Sequence, residues 1–211
     1  MVDFGDGKPR RPVMLAVVDC ASGKVLDFLF SQSENADRMR DVIINTCQTY
    51  GAFNNLYTDN GSAFAGHVIA GRVKHKFRNG KNRDLVRERP GVCAQLGIGI
   101  TFALPGHGQS KIAERKFRDF SRQIDDGPEF HGAHAGHKPG ATLSSGIVPV
   151  PIATVETVYK REVAAYNAQA KRRSAACKKD KLSCDEAFAA GMEGRVRRTL
   201  TRRQIELALL D

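Results

Sequence analysis

The sequence has no apolar run near the roughly 20 residues that a bilayer-spanning helix needs, so it is not read as an integral membrane protein. It has no C-x-x-C pair. Its five cysteines, Cys20, Cys47, Cys93, Cys177 and Cys184, are odd in number and scattered. They read as free thiols of a reducing compartment, neither a disulfide framework nor a zinc site. The opening Met1-Val2-Asp3-Phe4-Gly5-Asp6-Gly7 has no signal-peptide apolar segment, and export is not expected. No internal repeat is visible. What is present is an ordinary globular composition: 211 residues, 41% hydrophobic and 27% charged, enough to bury a core.

The charge is strongly one-sided. Lys and Arg number 33 against 23 Asp and Glu, a net charge of +10. Between Arg72 and Arg89 eight basic residues (Arg72, Lys74, Lys76, Arg78, Lys81, Arg83, Arg87, Arg89) face only Asp84 and Glu88. Such density attracts polyanions by phosphate neutralisation and counterion release. Taken alone it fits nucleic acid, an acidic protein partner or a solvated loop.

Periodicity predicts strands alternating with helices. Val13 to Val18 is a continuous apolar run, and with residues 24–30 it reads as a hairpin of buried strands turning at Ala21-Ser22-Gly23. Ser33-Glu34-Asn35 caps a helix with Met39, Val42, Ile43, Cys47 and Tyr50 at helical spacing, stopped by Gly51. Asn55 to Thr58 and Ile98 to Leu104 read as further strands. A helix is expected from Gln109 to Ile124 with Ala113, Phe117, Phe120 and Ile124 on one face. Residues 127–151 read as a loop or extended excursion, followed by helices near 152–172 and 183–191 and a basic tail. This order predicts an α/β fold with a mixed sheet flanked by helices.

Two motifs carry chemistry. In Thr58-Asp59-Asn60-Gly61-Ser62-Ala63-Phe64 a carboxylate follows a buried strand, where α/β sheets place ligands. In Gly108-Gln109-Ser110-Lys111-Ile112-Ala113-Glu114-Arg115 a second carboxylate stands in the first turns of a helix. Adjacent parallel strands would bring the two together. Carboxylates without His or Cys companions suit a hard cation such as Mg²⁺. Paired ions of that kind serve phosphoryl transfer. Each residue also has a plainer reading: Asp59 initiates the Asn-Gly turn, and Glu114 pairs with Arg118 four residues on. Spacing leaves both open.

T-D-N-G-S-x-F followed by G-Q-S-K-x-x-E-R resembles the second and third acidic motifs of the DDE transposases and retroviral-type integrases. More narrowly, the chain resembles the catalytic core of the phage Mu transposase family. Arg11-Pro12-Val13, Ala21-Ser22-Gly23-Lys24-Val25-Leu26, Ser33-Glu34-Asn35, Ala165-Tyr166-Asn167-Ala168 and Lys181-Leu182-Ser183-Cys184-Asp185-Glu186-Ala187-Phe188 are similar to the same family. The resemblance implies an RNase H-like core over 1–140. Residues 141–211 would then be a helical extension leading toward a β-barrel that 211 residues do not accommodate. It implies two Mg²⁺ or Mn²⁺ ions held by three carboxylates, nicking of DNA ends and transfer of the 3′-hydroxyl into target DNA. It also implies multimeric assembly on that DNA in the cytoplasm of a bacterial host. Asp59 and Glu114 carry over as the second and third carboxylates. Lys111, Arg115 and Arg118, on the flank of the Glu114 helix, are expected to contact DNA phosphates, as are Lys74, Lys76 and Arg78 of the basic stretch.

The first carboxylate does not carry over simply. The resemblance makes Val2-Asp3-Phe4 the tail of the first strand, ahead of the Gly7-Lys8-Pro9-Arg10-Arg11-Pro12 turn, and sets the acid before Met1. Asp19 and Asp3 are the alternatives within the chain. Without that acid, the expected function is an inactive DNA-binding or assembly unit. His131, His134 and His137, in H-G-A-H-A-G-H, read as a glycine-rich surface segment, with zinc as the competing use.

Overall fold

A computed structural model of the chain describes residues 1–58, 67–70, 90–103, 116, 117, 119–125, 127–133 and 147–210. Among them the strands are β1 (Val2–Asp3), β2 (Pro9–Arg10), β3 (Val13–Val18), β4 (Val25–Ser31), β5 (Asn55–Thr58), β6 (Gly99–Phe102) and β7 (Val150–Pro151). The α-helices are α1 (Ala36–Tyr50), α2 (His67–Ala70), α3 (Val92–Gln95), α4 (Ile152–Ala168), α5 (Ala175–Lys178), α6 (Cys184–Met192) and α7 (Arg202–Leu209). The chain forms two compact units, one of Met1–Glu34 with Lys111–Arg195, the other of Asn35–Ser110 with Val196–Asp211.

In the first unit β3 and β4 form the expected antiparallel hairpin, with Leu15 opposite Leu29 and Ala16 opposite Phe28. The register slips between Val17 and Val18, next to the turn. Asp19 closes that turn: its carbonyl accepts from the Gly23 N–H and its own N–H donates to Lys24 O, both at 2.8 Å. Gly23 adopts φ +71°, and a Cβ there would stand 3.0 Å from Lys116 Nζ, so glycine serves both the turn and the close approach. A separate mixed sheet has the order β2-β1-β7, β1 antiparallel to β2 and parallel to β7, and its Val2 joins the same core cluster as Val25 and Phe30 of β4. β7 lies at the end of the segment 127–151, expected as a loop or extended excursion and not as a paired strand.

The core of this unit gathers Val25 and Phe30 with Phe120, Ile124 and Phe130, and with Val155, Val158, Tyr159, Val163 and Tyr166 of α4. These α4 residues recur at helical spacing, which puts one apolar stripe inward. Tyr159 stacks edge-on against Phe30 at 4.8 Å and donates its hydroxyl to Asp125 Oδ1 at 2.5 Å. Burial first, and Asp125 second, push its phenol well above the usual range. Residues 116, 117, 119 and 120 are helical, as expected, but the chain then widens into a π turn over Ser121–Asp125. Asn167, buried near the end of α4, holds the start of β4. Its Nδ2 donates to Val25 O at 2.9 Å, and its Oδ1 accepts from Val25 N at 3.1 Å.

Helix α4 ends at Ala168, short of the expected 172. Arg172 turns back to donate to Tyr166 O from Nη2 at 2.7 Å, and the Lys171 N–H goes to Lys181 O instead of to the helix. Helix α6 opens with a capping box: Ser183 Oγ accepts from the Glu186 N–H while Glu186 accepts from the Ser183 N–H.

In the second unit Asn35 caps α1 by accepting from the N–H groups of Asp37 and Arg38. The helix buries Met39, Val42, Ile43, Ile44 and Cys47. Gly51 ends it at φ +90°, where a Cβ would meet Arg197 Cγ at 2.6 Å. Strands β5 and β6 are parallel, Leu56 opposite Ile100 and Thr58 opposite Phe102. The last segment returns to this unit. Arg197 Nη2 donates to the carbonyls of Gln48 and Thr49, orphans at the end of α1, and Arg198 donates to Gly97 O and Phe53 O. Helix α7, where the sequence suggested only a basic tail, starts on a Thr201–Gln204 capping box.

Candidate active site

The chain reaches its first candidate carboxylate from β5. Parallel pairing extends to the end of that strand, where the Ala103 N–H donates to Thr58 O at 2.7 Å and Thr58 is buried. Asp59 follows it in sequence. Asp59 and Glu114 lie outside the described residues, as do Lys111, Arg115 and Arg118 and, in the basic stretch, Lys74, Lys76 and Arg78. The parallel pairing expected of the two strands is present.

Two residues beyond Glu114 the chain is firmly held. Lys116 is only 7% exposed, an unusual place for an ammonium. Its Nζ donates to Tyr166 Oη at 2.8 Å and stands 4.5 Å from the centre of that ring. Tyr166 Oη in turn donates to Asp119 Oδ2 at 3.2 Å. The Arg172 guanidinium lies 3.5 Å from the ring centre. Burial pulls the Lys116 ammonium below the usual lysine range and pushes the Tyr166 phenol up. One aromatic ring thus carries two cations, an arrangement that the quadrupole of the π-face favours. Tyr166 stands in a segment that resembles the family and Lys116 directly follows the second of the two acidic motifs, but 50 residues separate the pair and no local pattern joins them.

The two alternative first carboxylates are both occupied in turns. Asp3 Oδ1 accepts from the N–H groups of Gly5, Asp6 and Gly7 at 2.8, 3.1 and 2.9 Å. Asp19 Oδ2 accepts from Ser22 N at 2.7 Å and Ser22 Oγ at 2.6 Å. Each side chain satisfies backbone donors that its own tight turn would otherwise leave unpaired. Among the described residues no group of three or more His, Cys, Asp or Glu side chains is placed to hold a metal ion. His131 is exposed, while His134 and His137 lie outside the described residues. All five cysteines are free, and Cys20 alone is exposed. Burial raises the Cys47 thiol to about 11 and the Cys93 thiol to about 12. The candidate ligands Asp59 and Glu114 are carboxylates, the hard oxygen donors that a Mg²⁺ or Mn²⁺ ion takes.

The described residues define an α/β protein in which β2-β1-β7 form a mixed sheet, β5 and β6 pair in parallel, and Asp59 follows β5 in sequence. Residues 1–192 match the family described as Bacteriophage Mu transposase, and the chain belongs to that family. It is 29% identical over 219 aligned positions to the Mu-like prophage FluMu transposase A of Haemophilus influenzae. That alignment takes in 99% of this chain but 31% of the relative, so the chain spans about a third of the relative's length. Similar solved structures include the catalytic core domain of BIV integrase, at 19% identity and a TM-score of 0.49, covering 85% of this chain and 87% of that one. Another is the HTLV-2 integrase catalytic core domain in complex with magnesium, at 12% identity and a TM-score of 0.45, covering 84% of this chain and 91% of that one. A simian T-cell lymphotropic virus intasome is similar at 12% identity and a TM-score of 0.49, covering 96% of this chain and 62% of that one.

Proposed function

We propose that this chain is the catalytic core of a DNA transposase, with an RNase H-like fold over 1–140 and a helical extension over 141–211. The observation that carries the reading is the family match over residues 1–192, which includes both acidic motifs. Asp59 and Glu114 supply two of the carboxylates for a pair of Mg²⁺ or Mn²⁺ ions. Bound there, such ions would activate a water or a 3′-hydroxyl and stabilise the leaving oxygen. Lys111, Arg115 and Arg118 neutralise phosphates beside the reacting bond, and Lys74, Lys76 and Arg78 hold the DNA farther out. The substrates are element ends and target DNA, and the working assembly is a multimer in the cytoplasm of a bacterial host. No helix among the described residues is long and apolar enough to cross a membrane.

A second reading has its own support. Asp3 and Asp19 each spend one carboxylate oxygen on their own turn, and the resemblance sets the first acid before Met1. The chain would then be a DNA-binding or assembly unit without catalysis. Calorimetric titration with Mn²⁺ tests both readings. Two bound ions, lost in Asp59→Asn and Glu114→Gln and also in one of Asp3→Asn and Asp19→Asn, are the result expected of the catalytic core. One weak ion or none in the parent protein supports the second reading. Two ions that survive both Asp59→Asn and Glu114→Gln refute the assignment of those ligands.

A further inference from the structure

We infer that the closed loop from Lys171 to Leu182 is a docking surface for the phosphate backbone of duplex DNA, an inference that rests on the transposase reading. The loop carries six basic residues, Lys171, Arg172, Arg173, Lys178, Lys179 and Lys181, against the single acid Asp180. Arg172 is spent on Tyr166, but the other five are exposed. Among the described residues none of those five makes an ion pair. Other surface arginines do: Arg10 with Asp6 at 2.6 Å, Arg161 with Glu129 at 2.9 Å and Arg202 with Glu206 at 2.6 Å. Beyond Asp180 itself, the nearest acids in sequence are used elsewhere. Asp185 takes Lys24 at 2.9 Å, and Glu186 is held in the capping box of α6.

This cluster is built, not merely solvated. Its neck is closed by two backbone bonds, Lys171 N to Lys181 O at 2.8 Å and Arg172 N to Leu182 O at 3.1 Å. Its body is pinned to the hairpin turn: the Ala176 N–H donates to Ala21 O at 3.2 Å, and the buried Cys177 thiol donates to Ser22 O and Ser183 O. Among the described residues, the non-glycine positions with positive φ are Lys171 at 63° and Lys181 at 56°, facing each other across that neck. Lysine in this region is strained relative to glycine, and strain of this kind is a pointer to use. Pinned like charges repel one another, and a polyanion relieves that repulsion without first having to order the loop.

The composition selects the partner. The loop exposes no aromatic residue, so it has no platform for the unstacked bases of a single strand. The large hydrophobic side chains that are exposed in the described residues all lie elsewhere, at Val148, Val196, Leu207, Leu209 and Leu210. The loop therefore lacks both the apolar anchor of a protein hot spot and the wedge of a membrane-surface helix. Roughly half or more of protein–DNA hydrogen bonds go to phosphate and sugar, and an exposed Lys/Arg cluster with no apolar companion suits that use.

The test is the salt dependence of binding of the whole chain to a duplex of arbitrary sequence. A triple variant, Arg173→Gln, Lys178→Gln and Lys179→Gln, is compared with Lys160→Gln, Arg195→Gln and Arg203→Gln, which removes equal charge from other exposed positions. Each phosphate contact contributes about 0.9 to the slope of log K against log salt. The loop variant should lose about 2 to 3 from that slope, the control variant less than about 1. Lys178→Arg with Lys179→Arg should keep the parent slope, and an unchanged thermal midpoint shows that the loop variant is folded. Equal losses in the two triple variants, or an unchanged slope in the first, overturn the inference and leave the metal titration above untouched. Competition by poly-glutamate as strong as that by duplex of equal charge overturns it in favour of an acidic protein partner. A parent chain that binds no duplex overturns this inference and the DNA-binding part of the proposed function together.

Discussion

Replacing Asn167 by leucine isolates one piece of the architecture. The side chains are similar in size and leucine favours a helix, so α4 itself should tolerate the change. What is lost is the pair of bonds to Val25, at 3.1 Å to its N–H and 2.9 Å to its carbonyl. Val25 is 3% exposed and Asn167 6%, so water does not readily replace the lost partners. An orphaned buried backbone group costs about 1–3 kcal/mol, and two are created. Burying the extra apolar surface of leucine returns roughly 1 kcal/mol. The net loss is about 3 kcal/mol, which for a chain of this size lowers the thermal midpoint by roughly 6–12 °C. Circular dichroism melts measure it. Asn167→Asp supplies the internal check. An ionised aspartate cannot donate to Val25 O, whereas the protonated acid both donates and accepts as asparagine does. Burial raises the folded-state pKa of that acid above its unfolded value. Its stabilising contribution is therefore full below the unfolded pKa and lost as pH rises through the folded one. The aspartate variant should approach the parent in mild acid and fall toward the leucine variant at neutral pH. A leucine variant that melts within a degree or two of the parent would show that Asn167 does not hold β4 in place.

Two further outcomes follow from the titrating groups. With a chromogenic disulfide at mildly alkaline pH, the native chain should release one fast thiol equivalent, from the exposed Cys20, and all five only after unfolding. Cys20→Ser should abolish the fast phase, and survival of that phase would place an accessible thiol elsewhere. Asp6, held by the Arg10 guanidinium, should titrate at about 2 when followed by carbon-detected NMR. Its small contribution is present above the unfolded carboxylate pKa and lost as pH falls through the folded value. Arg10→Gln should return Asp6 to the ordinary range, and an unmoved titration would remove Arg10 as the cause.

The strongest sequence signals were continuous and local. The run V-M-L-A-V-V became β3, and Asn35 and Gly51 bracket α1 as capping chemistry requires. The short and the distant were harder to see. β1 and β7 have two residues each, too few for any period, and their pairing joins Val2 to Val150. Pro151 within β7 argues against a strand on sequence grounds, although a proline at a strand end withholds only its own donor. Helix α7 did leave a trace, the Thr201–Gln204 capping box, but its arginines made it look like a tail. The Lys116–Tyr166–Asp119 chain is tertiary: no spacing rule joins residues that are 50 and 47 positions apart. The candidate carboxylates rest on motif resemblance, because spacing alone left a turn for Asp59 and a surface ion pair for Glu114 open.

The clasp that Arg197 and Arg198 make on the carbonyls of Gln48, Thr49, Phe53 and Gly97 has a consequence for synthesis. Each unit is assembled from two stretches far apart in the chain. A ribosome that has delivered α1, β5 and β6 has therefore not yet delivered the arginines that close their unit. An emerging chain passes through a long interval in which both halves hold open, unfinished edges. Folding that waits on such distant partners is slow and leaves apolar surface uncovered meanwhile. Expression yield should depend more on temperature and chaperone supply than the stability of the finished molecule would suggest.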